Sequence, residues 1–254
     1  MKFVKIKIAL AITMLISSGF LFADNNTIMQ QANAAYQAQK YQQAKNLYLT
    51  IVKSGNEGAI LFYNLGNACF KNGEKATSLL WYERALRLDP SNEDIKHNIA
   101  FVNQNITDKI EEVPDFILFR WWNSLSMSLT ATNWAIASII FAFLLVTGMI
   151  IMLVTPQQWL RSSGFVFALV MMIMLVMSTI FAHKESVRYK NNPEAIVMQS
   201  VLNAKSTPNE SGADLFIIHE GLKVIITDRL NEWYEIKIPN GEKGWVNKKS
   251  IEII

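Results

Sequence analysis

Residues 62–90, FYNLGNACFKNGEKATSLLWYERALRLDP, decide the fold of the first third of the chain. Two helix-length segments with apolar residues at helical spacing flank a short polar turn. The pattern returns 34 residues earlier, where Ala32 takes the place of Gly66 and Tyr48 that of Tyr82. A repeat of this length indicates stacked helical hairpins, each too small to bury its apolar face alone.

The spacing within this stretch resembles the signature of the tetratricopeptide repeat. The residues that carry the resemblance are Phe62, Leu65, Gly66, Cys69, Tyr82, Ala85 and Pro90. The resemblance implies that small residues let the two helices of a unit approach, while tyrosines fill the space between units. A third, truncated copy begins near Glu93. We therefore predict an all-α tetratricopeptide domain over residues 24–118.

Cys69 is the only cysteine of the chain and has two interpretations. A reactive thiol would need a nearby base, and the nearest histidine in sequence, His97, belongs to the next repeat unit. The alternative is a small apolar side chain in the core, at a slot where the signature has an aromatic residue. We favour the buried, inert side chain.

The repeat also predicts a partner-binding groove along the first helices of the units. Its predicted residues are Asn33, Tyr36, Tyr63, Asn64, Asn67, Phe70, Lys71, Asn98 and Phe101. Amide groups suit an extended peptide, because they both donate and accept hydrogen bonds. We expect the amides to face solvent, about 10 Å apart between units because that is the spacing of packed helices. A solvated groove without a ligand is the alternative, and one lysine is too few for the family's carboxylate clamp.

Two charge-free runs follow, at residues 134–154 and 164–182. Each is long enough to cross a hydrocarbon core of about 30 Å as a helix. We predict two transmembrane helices, preceded by a juxtamembrane link at 119–133. A short cytoplasmic loop at 155–163 joins them, and a linker at 183–193 follows.

The first 23 residues, MKFVKIKIALAITMLISSGFLFA, have the layout of a signal peptide cleaved after Ala23. An uncleaved anchor is the alternative, although the apolar run of 15 residues is shorter than the roughly 20 that a span needs. The basic residues after the second span favour a cytoplasmic C-terminus. The signal favours the reverse, and we expect both soluble parts to be periplasmic.

The C-terminal part, residues 194–254, changes to alternating apolar and polar residues with turns, and we predict five short strands. Asn240-Gly241 predicts a hairpin, and Ile236 and Trp245 are expected in the core. The pattern, with Trp233-Tyr234, PNGEKGWV and the terminal SIEII, resembles a bacterial SH3-like barrel. The stretch LNAKSTPN stands where a proline-rich ligand would need an acidic loop, so that binding mode is not expected.

Composition and motifs favour no enzyme and no nucleic-acid partner. The net charge of +3 equals the contribution of the three lysines in residues 1–23, so the rest of the chain is neutral. The three histidines are isolated in sequence, and there is no phosphate-binding glycine loop or metal-ligand spacing. We predict no catalytic residue, cofactor or metal.

The order of parts, with the link DKIEEVPDFILFRWWNSLS before the first span, resembles the BatE proteins of the Bacteroides aerotolerance operon. The resemblance implies an inner-membrane scaffold of a Gram-negative bacterium. Its implied partners are von Willebrand A-type Bat proteins and, indirectly, a MoxR-like AAA+ ATPase, in tolerance to oxidative or envelope stress. The alternative is a peptidoglycan-binding membrane protein that acts through the SH3-like domain.

Overall fold

The computed structural model describes residues 25–110, 116–191 and 193–254. The predicted signal peptide, residues 1–23, lies outside the described residues, as do residues 111–115 of the link. The chain divides into two compact units, one ending at Ala85 and one beginning at Leu86. The predicted fold class is confirmed: helical repeats, two long apolar helices and a C-terminal antiparallel sheet.

The first unit consists of helical hairpins. Its helices are α1 (25–37), α2 (Tyr41–Lys53), α3 (Ala59–Lys71) and the larger part of α4 (Lys75–Leu88). The two turns inside the hairpins share one conformation, because Gln39 and Gly73, 34 residues apart, both have positive φ, at 59° and 85°. Only the second turn has glycine, the residue that adopts this conformation without steric cost.

The interior of this unit follows the repeat. A Cβ atom on Gly66 would lie 2.6 Å from the ring of Tyr82, so only glycine permits this approach of α3 and α4. The predicted core position of Cys69 is confirmed, since its side chain is fully buried. Burial, reinforced by the carboxylate of Glu74 and opposed by Lys45, raises the pKa of the Cys69 thiol to about 12. The thiol therefore stays protonated and inert at neutral pH.

The second unit begins with the end of α4 and four further α-helices among the described residues. They are α5 (Glu93–Asn103), α6 (Ile117–Ser126) and a hairpin of α7 (Ala131–Val154) and α8 (Gln158–Asn191). Asn92 caps α5 by accepting a hydrogen bond from the backbone N–H of Ile95.

Both hairpin helices are long and apolar enough to cross a membrane, and each contains an 18-residue stretch of high mean hydropathy, 2.7 in α7 and 2.6 in α8. They extend beyond the charge-free runs of the sequence. The predicted loop at 155–163 shrinks to residues 155–157, and the predicted linker at 183–193 is a continuation of α8 as far as Asn191.

Small residues bring α7 and α8 together. A Cβ atom on Gly164 would lie 2.9 Å from the backbone nitrogen of Met152 and 3.1 Å from the carbonyl oxygen of Gly148. Near the other end of the hairpin, the hydroxyl oxygens of Ser138 and Ser178 lie 2.9 Å apart in a hydrogen bond. Close backbone approach and a polar bond across the interface are typical of helix pairs packed in lipid.

The charged end of α8 is bonded to the sheet. Arg188 Nη2 lies 3.0 Å from Oε1 of Glu194, and Lys223 Nζ lies 2.7 Å from Oε2 of the same carboxylate. Burial works to raise the pKa of Glu194, but Lys223 and then Arg188 outweigh it and lower that pKa below its ordinary value. The end of the hairpin and the first strand are thus linked through one ionised carboxylate.

The C-terminal sheet has seven antiparallel strands, not the five predicted. They are β1 (Glu194–Val197), β2 (Val201–Lys205), β3 (Asp214–His219), β4 (Lys223–Leu230), β5 (Trp233–Lys237), β6 (Lys243–Asn247) and β7 (Ile251–Ile253), in the order β3-β2-β6-β5-β4-β1-β7. β2 overlaps the stretch LNAKSTPN, for which no strand was predicted, and Asn203 and Lys205 are residue types depleted in strands. Leu202 and Ala204 nevertheless alternate with them and point into the core.

The predicted hairpin at Asn240-Gly241 is confirmed between β5 and β6, with Gly241 at a φ of +95°. Ile236 is fully buried in the core, as predicted. The expectation for Trp245 is wrong, because its neighbours Gly244 and Val246 are the residues that point inward. Alternation along β6 turns the indole to the other face, and Trp245 is only half-buried.

Candidate functional site

Two tyrosine–asparagine pairs define the candidate site in the first unit. The hydroxyl of Tyr48 donates to Oδ1 of Asn33 at 2.6 Å, and the hydroxyl of Tyr82 donates to Oδ1 of Asn67 at 2.7 Å. The members of both pairs are 15 residues apart, so the second bond repeats the first in the next unit. Each bond joins the first helix of a hairpin to the second and holds one asparagine side chain in a fixed orientation.

Asn64 lies beside the first pair. Its Nδ2 donates to Oδ1 of Asn33 across 3.4 Å, which is a long bond. Amides of neighbouring units are thus in contact, and the expectation of about 10 Å between them is wrong. Asn33, Asn64 and Asn67 are half-buried, not solvent-facing as expected.

These amides surround a cavity of about 190 Å3. Its lining residues are Asn33, Tyr36, Gln37, Tyr48, Asn64 and Asn67. Burial, followed by the neighbouring Tyr36, raises the pKa of Tyr48 to about 12, and burial also raises the pKa of Tyr36. Both hydroxyls are therefore neutral at physiological pH. With the amide N–H groups, they make the cavity a neutral, hydrogen-bonding surface.

The remaining predicted groove residues do not line this cavity. Tyr63 and Phe70 of α3 are half-buried, and the Tyr63 ring lies 5.9 Å from that of Tyr82. Lys71 is exposed at the end of α3. Asn98 and Phe101 lie on α5, in the second unit, where Asn98 is half-buried and Phe101 is exposed.

Sequence reasoning missed Gln37 and the polar role of Tyr48. Tyr48 was expected only to fill space between units, yet its hydroxyl orients Asn33. The signal was present, because an asparagine and a tyrosine recur 15 residues apart in both repeats.

A second concavity, of about 460 Å3, lies on the sheet of the second unit. Amide, charged and aromatic side chains line it, among them Gln199, Asn203, Lys205, Trp233 and Asn247. Planar indole beside amides and charges suits a polar ligand with apolar faces, such as a saccharide or a peptide.

The segment after α5 packs on this sheet. Asp108 accepts a hydrogen bond from the backbone N–H of His219 at 2.6 Å, and its other oxygen lies 2.7 Å from Nδ1 of that histidine. Ile110 packs against the apolar core of the sheet. Residues 108–110, which the sequence analysis grouped with the repeats, therefore contact the C-terminal module.

The remaining candidates for chemistry lie apart from one another. Within the described ranges, no three His, Cys, Asp or Glu side chains come close enough to hold a metal ion. His97 and His183 are exposed on different helices, and His219 is engaged by Asp108.

Comparison with known families assigns both modules. Residues 29–93 match the family model of the tetratricopeptide repeat, and residues 200–252 match that of the bacterial SH3 domain. No curated protein matches the chain. Both families are non-catalytic modules that bind other proteins or, for the bacterial SH3 domain, the cell wall. The chain thus carries a tetratricopeptide region and a bacterial SH3-like domain, separated by two membrane-capable helices.

Proposed function

We propose that the protein is an inner-membrane scaffold that presents its repeat groove and its SH3-like domain to protein partners in the periplasm. The observation that carries this function is the set of half-buried amides around the 190 Å3 cavity. Asn33 and Asn67 are held in place by buried tyrosine hydroxyls, so little side-chain entropy is lost when they bind a partner.

The proposed ligand is an extended segment of another protein. Amides that donate and accept match the alternating N–H and C=O groups of an unpaired peptide backbone. The proposed contacts of the first unit are Asn33, Tyr36, Tyr63, Asn64, Asn67, Phe70 and Lys71. Asn98 and Phe101, on α5 of the second unit, are proposed as partner-binding residues of that unit. Lys71 is the one lysine among these residues, which favours an extended backbone segment as the ligand over a free C-terminal carboxylate.

Asn64 is the residue whose substitution should weaken binding of the partner without destabilising the fold. Asn33 and Asn67 accept bonds from buried tyrosines, whereas the bond from Asn64 is long. Asn64→Ala removes one bond to the partner, and a net value of about 0.5–1.5 kcal/mol per bond predicts roughly 2- to 13-fold weaker binding.

The test is partner recovery from detergent-solubilised membranes with the full chain as bait. Asn46→Ala is the matched control, because Asn46 is an exposed asparagine of α2 outside the cavity lining. We expect reduced recovery with Asn64→Ala and normal recovery with the control. Equal recovery with both variants would mean that the groove does not bind the partner.

The membrane topology is a separate part of the proposal. The signal-like N-terminus and the two apolar helices support a chain whose two soluble parts share the periplasmic side. A periplasm-dependent phosphatase fused after Ile254 should be active, and one inserted in the connection at 155–157 should be inactive. The opposite pattern would place both modules in the cytoplasm.

The finer assignment rests on the resemblance of the chain to BatE proteins. We propose that the partners are von Willebrand A-type Bat proteins and, through them, a MoxR-like ATPase, in tolerance to oxidative or envelope stress. Mass spectrometry of the recovered material tests this assignment, and recovery of unrelated proteins alone would contradict it.

Peptidoglycan binding is the second candidate function, favoured by the concavity that contains Trp233 and several amides. Ligand sites typically combine aromatic side chains with a few polar groups, amides among them, that fix the orientation of the ligand. Pull-down on insoluble peptidoglycan, with Trp233→Ala as the variant, distinguishes this function from protein binding. Retention that Trp233→Ala abolishes would support it, and no retention of the unaltered chain would exclude it.

A further inference from the structure

The short helix α6 has an apolar stripe and a polar stripe. Successive residues of a helix are about 100° apart, which places Ile117, Leu118, Trp121, Trp122 and Leu125 along one side. Arg120, Asn123, Ser124 and Ser126 lie along the other side, where Phe119 is the one apolar residue. The exposed fractions of Ile117, Leu118 and Trp121 are 70%, 64% and 67%. Large apolar side chains exposed together in this way mark an interaction surface.

The polar stripe of α6 is bonded to the charged end of α8. Lys184 Nζ donates to Oδ1 of Asn123 at 2.7 Å and to Oγ of Ser126 at 3.0 Å. The hydroxyl of Ser126 also donates to Oε1 of the buried Glu185 at 3.3 Å. These bonds fix which side of α6 faces the charged residues.

The apolar stripe lies on the opposite side, toward the apolar part of the hairpin. The Trp122 ring packs edge-on against Phe181 at a centroid distance of 4.7 Å, and Trp134 of α7 packs against the same ring at 4.9 Å. Phe181 precedes Lys184 by three residues, or about 5 Å along the helix axis. Trp122 of the apolar stripe is therefore level with the last apolar turn of α8, and Asn123 and Ser126 of the polar stripe with its first charged turn.

We propose that α6 is an interfacial helix that binds the lipid bilayer, with its apolar stripe at the boundary between headgroups and acyl chains. The proposal rests on the proposed insertion of α7 and α8 in that membrane. Lipid is the expected partner because the apolar stripe continues the lipid-facing surface of the hairpin, at the depth where that surface ends. An amphipathic helix with tryptophan on its apolar face is typical of this location.

Lipid contact can be measured on the full chain in vesicles of phosphatidylcholine and phosphatidylglycerol. Cys69 is buried and its thiol is protonated, so a cysteine introduced elsewhere is the site that labels under native conditions. The variants are Trp121→Cys and Leu118→Cys on the apolar stripe, Ser124→Cys on the polar stripe and Ile140→Cys in the middle of α7. Each is labelled with an environment-sensitive fluorophore, and quenching by doxyl-lipids is compared with quenching by iodide.

We expect the labels at positions 121 and 118 to be quenched several-fold more by a shallow doxyl-lipid than by iodide, and the label at 124 to show the reverse order. Leu118→Cys keeps both tryptophans, so agreement between positions 118 and 121 excludes an effect of losing Trp121. Stronger quenching by iodide than by lipid at positions 118 and 121 would overturn the proposal. Protection of these labels from both quenchers would also overturn it, because it would indicate that another protein covers the stripe. The label at position 140 tests whether α7 is inserted in the membrane. If lipid quenches position 140 while iodide quenches positions 118 and 121, only the interfacial helix is refuted. If iodide quenches position 140, the insertion of the hairpin is refuted.

Discussion

The bond between Tyr48 and Asn33 provides the sharpest test of how the groove is built. The Tyr48 side chain is 1% exposed, and its hydroxyl donates to Asn33 at 2.6 Å. Asn33→Ala removes the acceptor and leaves the hydroxyl buried with its bond broken, which costs about 1–3 kcal/mol. Since 1.4 kcal/mol corresponds to a factor of ten in an equilibrium constant, the fraction of molecules in which the first unit is open should rise about 5- to 150-fold.

Cys69 reports this change without isolating the unit. Its thiol is fully buried, so a thiol reagent reaches it only when the unit opens, and the labelling rate follows the opened population. Labelling of the full chain in detergent should therefore accelerate about 5- to 150-fold with Asn33→Ala. The control Asn46→Ala should stay within about twofold of the unaltered chain, as surface substitutions do.

A double-mutant cycle isolates the bond itself. Tyr48→Phe removes the hydroxyl, so Asn33→Ala in that background no longer leaves a buried donor without its acceptor. The second substitution should then change the labelling rate by less than about threefold. If Asn33→Ala accelerates labelling equally in both backgrounds, or not at all, the bond does not stabilise the unit and the reasoning is wrong.

Three further predictions concern the second unit. The pKa of Glu194 is lowered in the folded chain, so its contribution to stability is present above the ordinary carboxyl pKa and is lost as pH falls through the folded value. Between pH 7 and pH 4, urea unfolding read by pulse proteolysis should therefore show a smaller loss of unfolding free energy for Glu194→Gln than for the unaltered chain. Equal losses would contradict the ion pairing. Gly164→Leu should push α7 and α8 apart, because even a Cβ atom at position 164 would lie 2.9 Å from the backbone nitrogen of Met152. The yield of the disulfide between Ser138→Cys and Ser178→Cys should then fall. An unchanged yield would refute the close packing. Asp108→Ala should release the segment after α5, so that trypsin cleaves after the exposed Lys109 faster than in the unaltered chain, and an unchanged rate would mean that the carboxylate does not hold this segment.

The parts of the fold that follow from periodicity could be predicted from the sequence. The buried position of Cys69 follows from its slot in a repeat, and the turn at Gly241 follows from the dipeptide that forms it. The C-terminal end of α8 could not be placed from hydropathy, because the helix continues through Lys184, Glu185 and Arg188. Those charges are retained in a helix because α6 and β1 supply partners for them.

The candidate site was predicted less completely, for a similar reason. The sequence indicated which amides lie on first helices, but not that Asn33 and Asn67 are bonded to tyrosines on second helices. The recurring 15-residue spacing of asparagine and tyrosine marks these pairs in the sequence, but the side-chain orientation across the hairpin decides whether they bond. The same limit explains Trp245, where a single β-strand position decides which face the indole takes.

Site-specific photo-cross-linking in the membrane of living cells tests the central claim most directly. A photoreactive residue is placed at position 64, in the cavity lining, and separately at position 46, outside that lining. The account predicts a cross-link from position 64 to one protein partner and no such product from position 46. The same products from both positions, or none from position 64 in cells where the bait is present and folded, would contradict a protein-binding groove.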